Sequence, residues 1–328
     1  MANIHEHAIL SDILSKSGSG FVAKHGDELL LANNAQWVGF SMEVGPDGGL
    51  YVLDWHDADI CGKEVLNGET GRIYRVMPTE NLAENWAGRF EDLNIMNDLK
   101  LASFQTNSSD WHARRARVIL QNRAEKGKID PQATNELQNI LKNNANSDYR
   151  LRALWSMHVT HSFAAGQLES LLSDKDEYIR SWAIQLLCED KSPSTDALSK
   201  FIDMAKEDQS PVVRLYLASA LQRINEASAW KIASELTQHG EDAEDHNLPK
   251  MIWFGLEPLV KNNPKLGLEL LKNCKINLIS NYIARRIVDA NEHELLVSYI
   301  GSNTKNLTPI LEGMRDGLEG RFDLRAPK

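Results

Sequence analysis

The densest run of groups able to do chemistry is Asp54-Trp55-His56-Asp57-Ala58-Asp59. Asp54, Asp57 and Asp59 offer oxygen ligands of the kind a hard cation takes. His56 adds an imidazole that titrates near neutral pH, suited to a base or a transition-metal ligand. The same residue types also crowd turns, because short polar side chains bond nearby backbone groups. The spacing lacks the glycine and distal glutamate of an EF-hand loop, so turn and cap bonding is the plainer reading. His5 and His7 stand two apart and share a face if their segment is a strand. Such a pair can hold a metal or edge a cavity, but no third ligand is evident. No GxSxG nucleophile motif occurs. Ser17-Gly18-Ser19-Gly20 has no GK[ST] and no following helix, so it reads as a flexible loop and not a phosphate cradle. Cys61, Cys188 and Cys274 form no CxxC or CxxCH and read as unpaired thiols. No catalytic residue, metal site or cofactor is expected in this chain.

The elements that carry these residues change character near residue 78. Before it, short apolar runs such as Leu50–Leu53 and Arg72–Val76 follow turn signals at Gly45-Pro46-Asp47-Gly48-Gly49 and Asn67-Gly68-Glu69-Thr70-Gly71. These read as strands. Phe21-Val22 and Leu29-Leu30-Leu31 suggest two more around a turn at His25-Gly26-Asp27. Such short strands cannot protect their own edges.

After residue 80 the pattern is helical and repeats. Six hexads end in a basic residue at Arg114, Arg152, Arg180, Arg214, Lys250 and Arg285. The spacings of 38, 28, 34, 36 and 35 residues suit two-helix repeats with variable loops. The second position of each hexad is Asp110, Asp148, Asp176, Ser210, His246 or Asn281, mostly good N-cap types. Where it is His246, Asp245 or Asn247 can cap instead. Behind each cap runs an apolar stripe, as in Tyr178, Ile179, Trp182, Ala183, Leu186 and Leu187. Trp155, Trp182 and Trp253 fall on such stripes, as core residues do. One helix pair cannot bury its own stripe, so neighbours must stack. The fold expected is mainly α: an α-solenoid of helix pairs over residues 107–328, with residues 79–106 as linker and first helices, behind a β-segment over residues 1–78.

The hexad spacing resembles HEAT repeats, and armadillo-like arrays more widely. There an Asp opens the second helix and an apolar–Arg pair follows, the Arg and Asp residues forming a ladder between repeats. That resemblance implies a structural role for Asp110, Arg114, Asp148, Arg152, Asp176, Arg180, Arg214 and Arg285. The segment Gly45–Asp54 is similar to the GPDGxLYVxD blade strand of glucose/sorbosone dehydrogenase-type propellers, and Gly71–Val76 to the closing G-R-I-Y-R strand. Asn3–Leu10, Gly18–Phe21, Asp54–Gly62, Met251–Pro258 and Glu312–Met314 extend the likeness to bacterial membrane-bound dehydrogenases. In that family a propeller precedes HEAT-like repeats and a c-type haem segment. The resemblance implies a fragment carrying the last one to two blades and the repeats, without most of the propeller and without the haem motif. It implies a parent oxidoreductase acting on an alcohol or sugar-like substrate, periplasmic or membrane-associated, with a quinone and haem c. This chain would then brace the propeller and cytochrome domains without being catalytic. The other reading of the repeats is a stand-alone protein-interaction scaffold.

Bulk properties bound both readings. The chain has 328 residues, 42% hydrophobic and 25% charged, enough apolar material for a core. Its formal charge of −10 argues against a broad nucleic-acid surface, so the expected partner is protein. No run of about 18 apolar residues offers a membrane span, and Met1–Leu10 has no basic and apolar leader pattern.

Overall fold

Turn chemistry organises the β-part. Asp47 Oδ1 accepts from Gly49 N–H at 3.0 Å and its Oδ2 from the Tyr51 hydroxyl at 3.0 Å, while Gly48 takes a positive φ of 75°. The turn so made joins β6 (Gly39–Val44) to β7 (Leu50–Asp54). A third strand, β8 (Arg72–Val76), completes an antiparallel sheet of order β6-β7-β8. These coordinates are a computed structural model describing residues 1–57, 69–80, 87–303 and 306–321.

Five strands precede that sheet: β1 (Ala2–Asn3), β2 (Ala8–Ile9), β3 (Asp12–Ser17), β4 (Gly20–His25) and β5 (Leu30–Leu31). They form a sheet of order β1-β2-β5 and a separate β3–β4 hairpin. The two strands expected on either side of His25-Gly26-Asp27 are β4 and β5, but they do not pair with each other. Leu30 and Leu31 pair instead with Ile9 and Ala8, which lets Leu30 and Ile9 meet Trp37 and Val52 in one small core.

The helices are α1 (Asp98–Ser103), α2 (Asp110–Ala124), α3 (Pro131–Asn143), α4 (Ser147–Val159), α5 (Gln167–Ser170), α6 (Glu177–Leu187) and α7 (Thr195–Glu207). Then follow α8 (Pro211–Ala220), α9 (Glu226–Leu236), α10 (Leu248–Asn262), α11 (Pro264–Leu271), α12 (Asn277–Asp289), α13 (His293–Ser302) and α14 (Leu307–Leu318). The class is mainly α, with stacked helix pairs of α-solenoid type behind short antiparallel strands. Among the described residues, no helix is long and apolar enough to cross a membrane.

Caps decide where the second helices begin. Asp176 accepts from Tyr178 and Ile179 N–H, and Ser210 from Val213 N–H, as the hexads predict. In α2 and α4 the capping position falls earlier, at Ser109 and Asn146. The sixth hexad misleads: Asn281 lies inside α12, which starts at Asn277. The buried stripe there runs back through Ile279 and Ile276, and burial extends the helix by a turn.

The chain divides into two compact units. The first comprises Met1–Ser15 and Val22–Phe163; the second comprises Lys16–Phe21 and the chain from Ala164 on. The texture change near residue 78 is thus one of secondary structure, while α1–α4 belong to the unit that holds most strands. In the first unit α1 stacks on α3, and α2 on α4. In the second, α6, α8, α10, α12 and α14 stack in series, and α7 packs on α9. One continuous core from Leu172 to Ile310 runs through that second unit. Within it α14 packs tightly on α12: a Cβ added at Gly313 would lie 2.0 Å from the Asn281 carbonyl oxygen.

Candidate interaction surface

The polar residues singled out in the β-part are spent on holding strands. Asp54 is buried. Its Oδ1 accepts from Val38 N–H at 2.7 Å and His56 N–H at 3.0 Å. Its Oδ2 accepts from Arg72 Nε at 2.7 Å and forms an ion pair with the same guanidinium. His56 turns away at a positive φ of 54°, its Nδ1 2.8 Å from Thr70 Oγ1. Asp57 is buried; Asp59 and Cys61 lie outside the described residues. His5 and His7 sit in the turn between β1 and β2, not on a strand, because Asn3 Oδ1 accepts from the N–H groups of His5 and Glu6. His7 Nδ1 lies 2.8 Å from the Trp37 carbonyl. Among the described residues no three His, Cys, Asp or Glu side chains group closely enough to hold a metal ion. Cys188 and Cys274 are buried, and burial pushes the Cys188 thiol up to about 11.

The repeat arginines link successive turns of chain. In the second unit, Arg180 meets Asp208 through Nε at 2.8 Å and Nη2 at 2.9 Å, and its Nη1 donates to the Asp174 carbonyl at 2.8 Å. Arg214 repeats this arrangement with Asp242 at 2.6 and 2.5 Å and the Asp208 carbonyl at 2.8 Å. In the first unit the direction is reversed: Arg152 donates back to Asp110 Oδ1 at 2.9 Å and to the Asn107 carbonyl at 2.8 Å. Arg114 pairs with Asp110 within its own helix. Asp148 lies inside the first turn of α4, and Asp176 caps α6. Asp316 is held low first by the bond from Arg315, and the charge of Arg285 adds to this. Asp208 and Asp242 were not singled out by the hexads; their signal is a fixed offset of 28 residues from each arginine.

The Ser17–Gly20 stretch also proves to be specific structure. It is the tip of the β3–β4 hairpin and belongs to the second unit. Ser19 N–H and Oγ both donate to Asp245, each at 2.7 Å, while Asp245 also accepts from Asn247 and Leu248 N–H at the start of α10. Gly18 takes a φ of 55°, and a Cβ there would lie 2.1 Å from Asp245 Oδ2. Nearby, Lys16 pairs with Glu177. Burial acts to raise the Glu177 pKa, but bonds from Lys16 and Ser210 outweigh it and hold the carboxyl low.

A groove of about 650 Å³ crosses α6, α8 and α10. Gln185, Glu189, Ser219 and Arg223 give it polar walls, and Phe254 stands in it 60% exposed. The helix explains how that aromatic is held. Pro258 has no N–H, so the Phe254 carbonyl four residues earlier loses its helical donor. The Gln222 side chain supplies one, donating from Nε2 to that oxygen. Gly255 beside it lets α10 approach α8: a Cβ there would come within 2.5 Å of Leu221 Cδ1.

Residues 165–246 match the HEAT-repeat family model. The match spans α5 through α9 and includes both forward Arg–Asp links. No curated protein matches the chain. Among solved structures, the chain is similar to an engineered protein known from its crystal structure, at 18% identity and a TM-score of 0.23, covering 68% of this chain and 98% of that one. HEAT repeats point to a protein-interaction or scaffold role.

Proposed function

We propose that this chain is a protein-binding scaffold whose partner seats on the groove over α6, α8 and α10. The observation that carries this is Phe254, a large aromatic left exposed on a helix that packs closely on its neighbour through Gly255. Exposed aromatics flanked by polar walls are the usual anchors of protein interfaces. The partner offers an apolar side chain to Phe254 and hydrogen-bonding groups to Gln185, Ser219 and Arg223. The test places a photo-crosslinking phenylalanine analogue at position 254 in cells that make the protein. A single defined adduct at 254, absent when the analogue replaces the exposed Val297 and lost with Arg223→Glu, supports the reading. The same adducts from both positions, or none, would sink it.

A second reading is favoured by the sheet β6-β7-β8. One face is covered by Trp37 and Ile9, while Ile73 on the other is 70% exposed. Sheets in propellers are covered on both faces by neighbouring blades. On this reading the chain braces an extracytoplasmic dehydrogenase whose propeller and haem c segments, with any quinone, lie on other stretches of polypeptide. Sequencing the flanking DNA is the test: reading frames for a propeller and a CxxCH segment beside this one support it, and unrelated neighbours count against it.

A further inference from the structure

The arginines of α2 and α4 outnumber the carboxylates that meet them. Asp110 is bonded through Oδ2 to Arg114 and through Oδ1 to Arg152, so two guanidiniums share one carboxylate. Arg117, one turn beyond Arg114 on α2, is bonded to none among the described residues. Its Nη1 is buried with no hydrogen-bond partner, and its guanidinium lies 5.3 Å from the centre of the Trp155 ring. Burial lowers the Arg117 pKa and the charges of Arg152 and Arg114 add to this, with Asp110 acting against them. The acidic groups nearby are engaged elsewhere. Asp92 is held low by bonds from Asn94 and by the charge of Arg115. Glu91 acts on His112, against the burial that lowers that imidazole pKa. Among the described residues, three guanidiniums thus meet one carboxylate, a surplus of two positive charges. The second unit shows the contrast: Arg180 and Arg214 each hold an aspartate of their own, Asp208 and Asp242.

We propose that Arg114, Arg117 and Arg152 bind a phosphate monoester carried by a phosphorylated segment of a partner protein. Such a group carries about −1.5 to −2 charge near neutral pH and three acceptor oxygens, which matches both the surplus and the three donors. Planar guanidiniums pair with phosphate oxygens two bonds at a time. Trp111 and the 42% exposed Val118 flank Arg114 in one cleft and offer an apolar footing to the residues beside the phosphate. A free phosphate ion would make no use of that footing. A nucleic acid would meet the chain's net charge of −10. The site belongs to the first unit and shares no residue with the groove around Phe254, so either proposal can fail without the other.

The probe is an eight-residue peptide of leucine and glycine around one phosphoserine, labelled for fluorescence anisotropy and titrated with the full chain. Its unphosphorylated form and inorganic phosphate are the controls. The phosphopeptide is expected to bind, and the serine form to bind at least about tenfold more weakly. Arg117→Gln and Arg114→Gln are each expected to weaken phosphopeptide binding about tenfold, with the fold intact by circular dichroism. The Arg114 side chain is 69% exposed, so its variant keeps the test decisive should Arg117→Gln unfold. Asp110→Asn removes the competing carboxylate and is expected to tighten binding severalfold, which a merely structural Asp110 would not do. No binding of the phosphopeptide overturns the proposal, as does equal binding of the serine form. So does an affinity unchanged by Arg114→Gln, or weakened by Asp110→Asn. Inorganic phosphate that binds as tightly as the phosphopeptide also overturns it, since the ligand is then the free anion and not a protein segment.

Discussion

At the scale of single residues, two ion pairs of the same type differ in burial and so in worth. The Arg214 and Asp242 side chains are 3% and 4% exposed, whereas Asp110 is 47% exposed. Removing one partner of a buried pair strands a charge, at about 3–5 kcal/mol; an exposed pair contributes about 1 kcal/mol or less. Asp242→Ala is thus expected to lower stability severalfold more than Asp110→Ala in urea denaturation, and equal losses would contradict the burial argument. Asp245 adds a pH signature. Burial acts to raise its pKa, but the bonds from Ser19, Leu248 and Asn247 outweigh it and hold the carboxyl below its ordinary 3.8. A depressed folded pKa gives stability that is full above the unfolded value and lost as pH falls through the folded one. Protection of the Ser19 amide, corrected for intrinsic exchange, is expected to hold above 3.8 and to fall below it, and Asp245→Asn should flatten the profile. The repeat arginines were legible from their spacing. Asp208 and Asp242 were not, because an aspartate in a loop looks like turn chemistry until its long-range donor is known; Asp245 was legible as a cap of α10 but not as the partner of Ser19.

At the scale of elements, the caps and stripes placed most second helices to within a residue or two. The start of α12 was misplaced, because burial of Ile276 and Ile279 overrode the local signal at Asn281, and the partner of Leu30–Leu31 was not legible because Ala8–Ile9 is distant in sequence. Glycine marks the places where helix packing leaves least room. Gly313 meets the Asn281 carbonyl oxygen at 2.0 Å from its added Cβ, and Gly317 meets the Val288 Cβ at 2.9 Å. Backbone cannot move aside as a flexible side chain can. Gly313→Ala is expected to push α14 from α12 and cost about 1–3 kcal/mol. Gly301 in α13 has nothing within 4 Å of an added Cβ. There, Gly→Ala is expected to be neutral or to stabilise by up to about 1 kcal/mol through helix propensity. Thermal melts of the two variants separate packing from propensity, and equal shifts would mean that α14 is not seated as described.

At the scale of the whole chain, the fold class was legible because each helix pair writes its own cap and stripe locally. The binding surface was less so, because a groove is made by elements distant in sequence, and the run Met251–Pro258, although singled out, does not by itself show that Phe254 stands exposed. Stability poses its own question in a repeat protein, since neighbours alone touch and unfolding can proceed piece by piece. The core of the second unit argues for one block, as buried side chains run without a break from Leu172 in the first matched repeat to Ile310 in α14. Phe201 in α7 is fully buried, and Phe201→Ala should cost about 3–5 kcal/mol. If the unit opens as one block, amides in α12, far along the array, lose that same free energy of protection as amides in α7. If it opens repeat by repeat, α7 and its neighbours lose protection while α12 keeps it. The continuous core predicts the first result, with the α12 amides reporting a truncation they never touch.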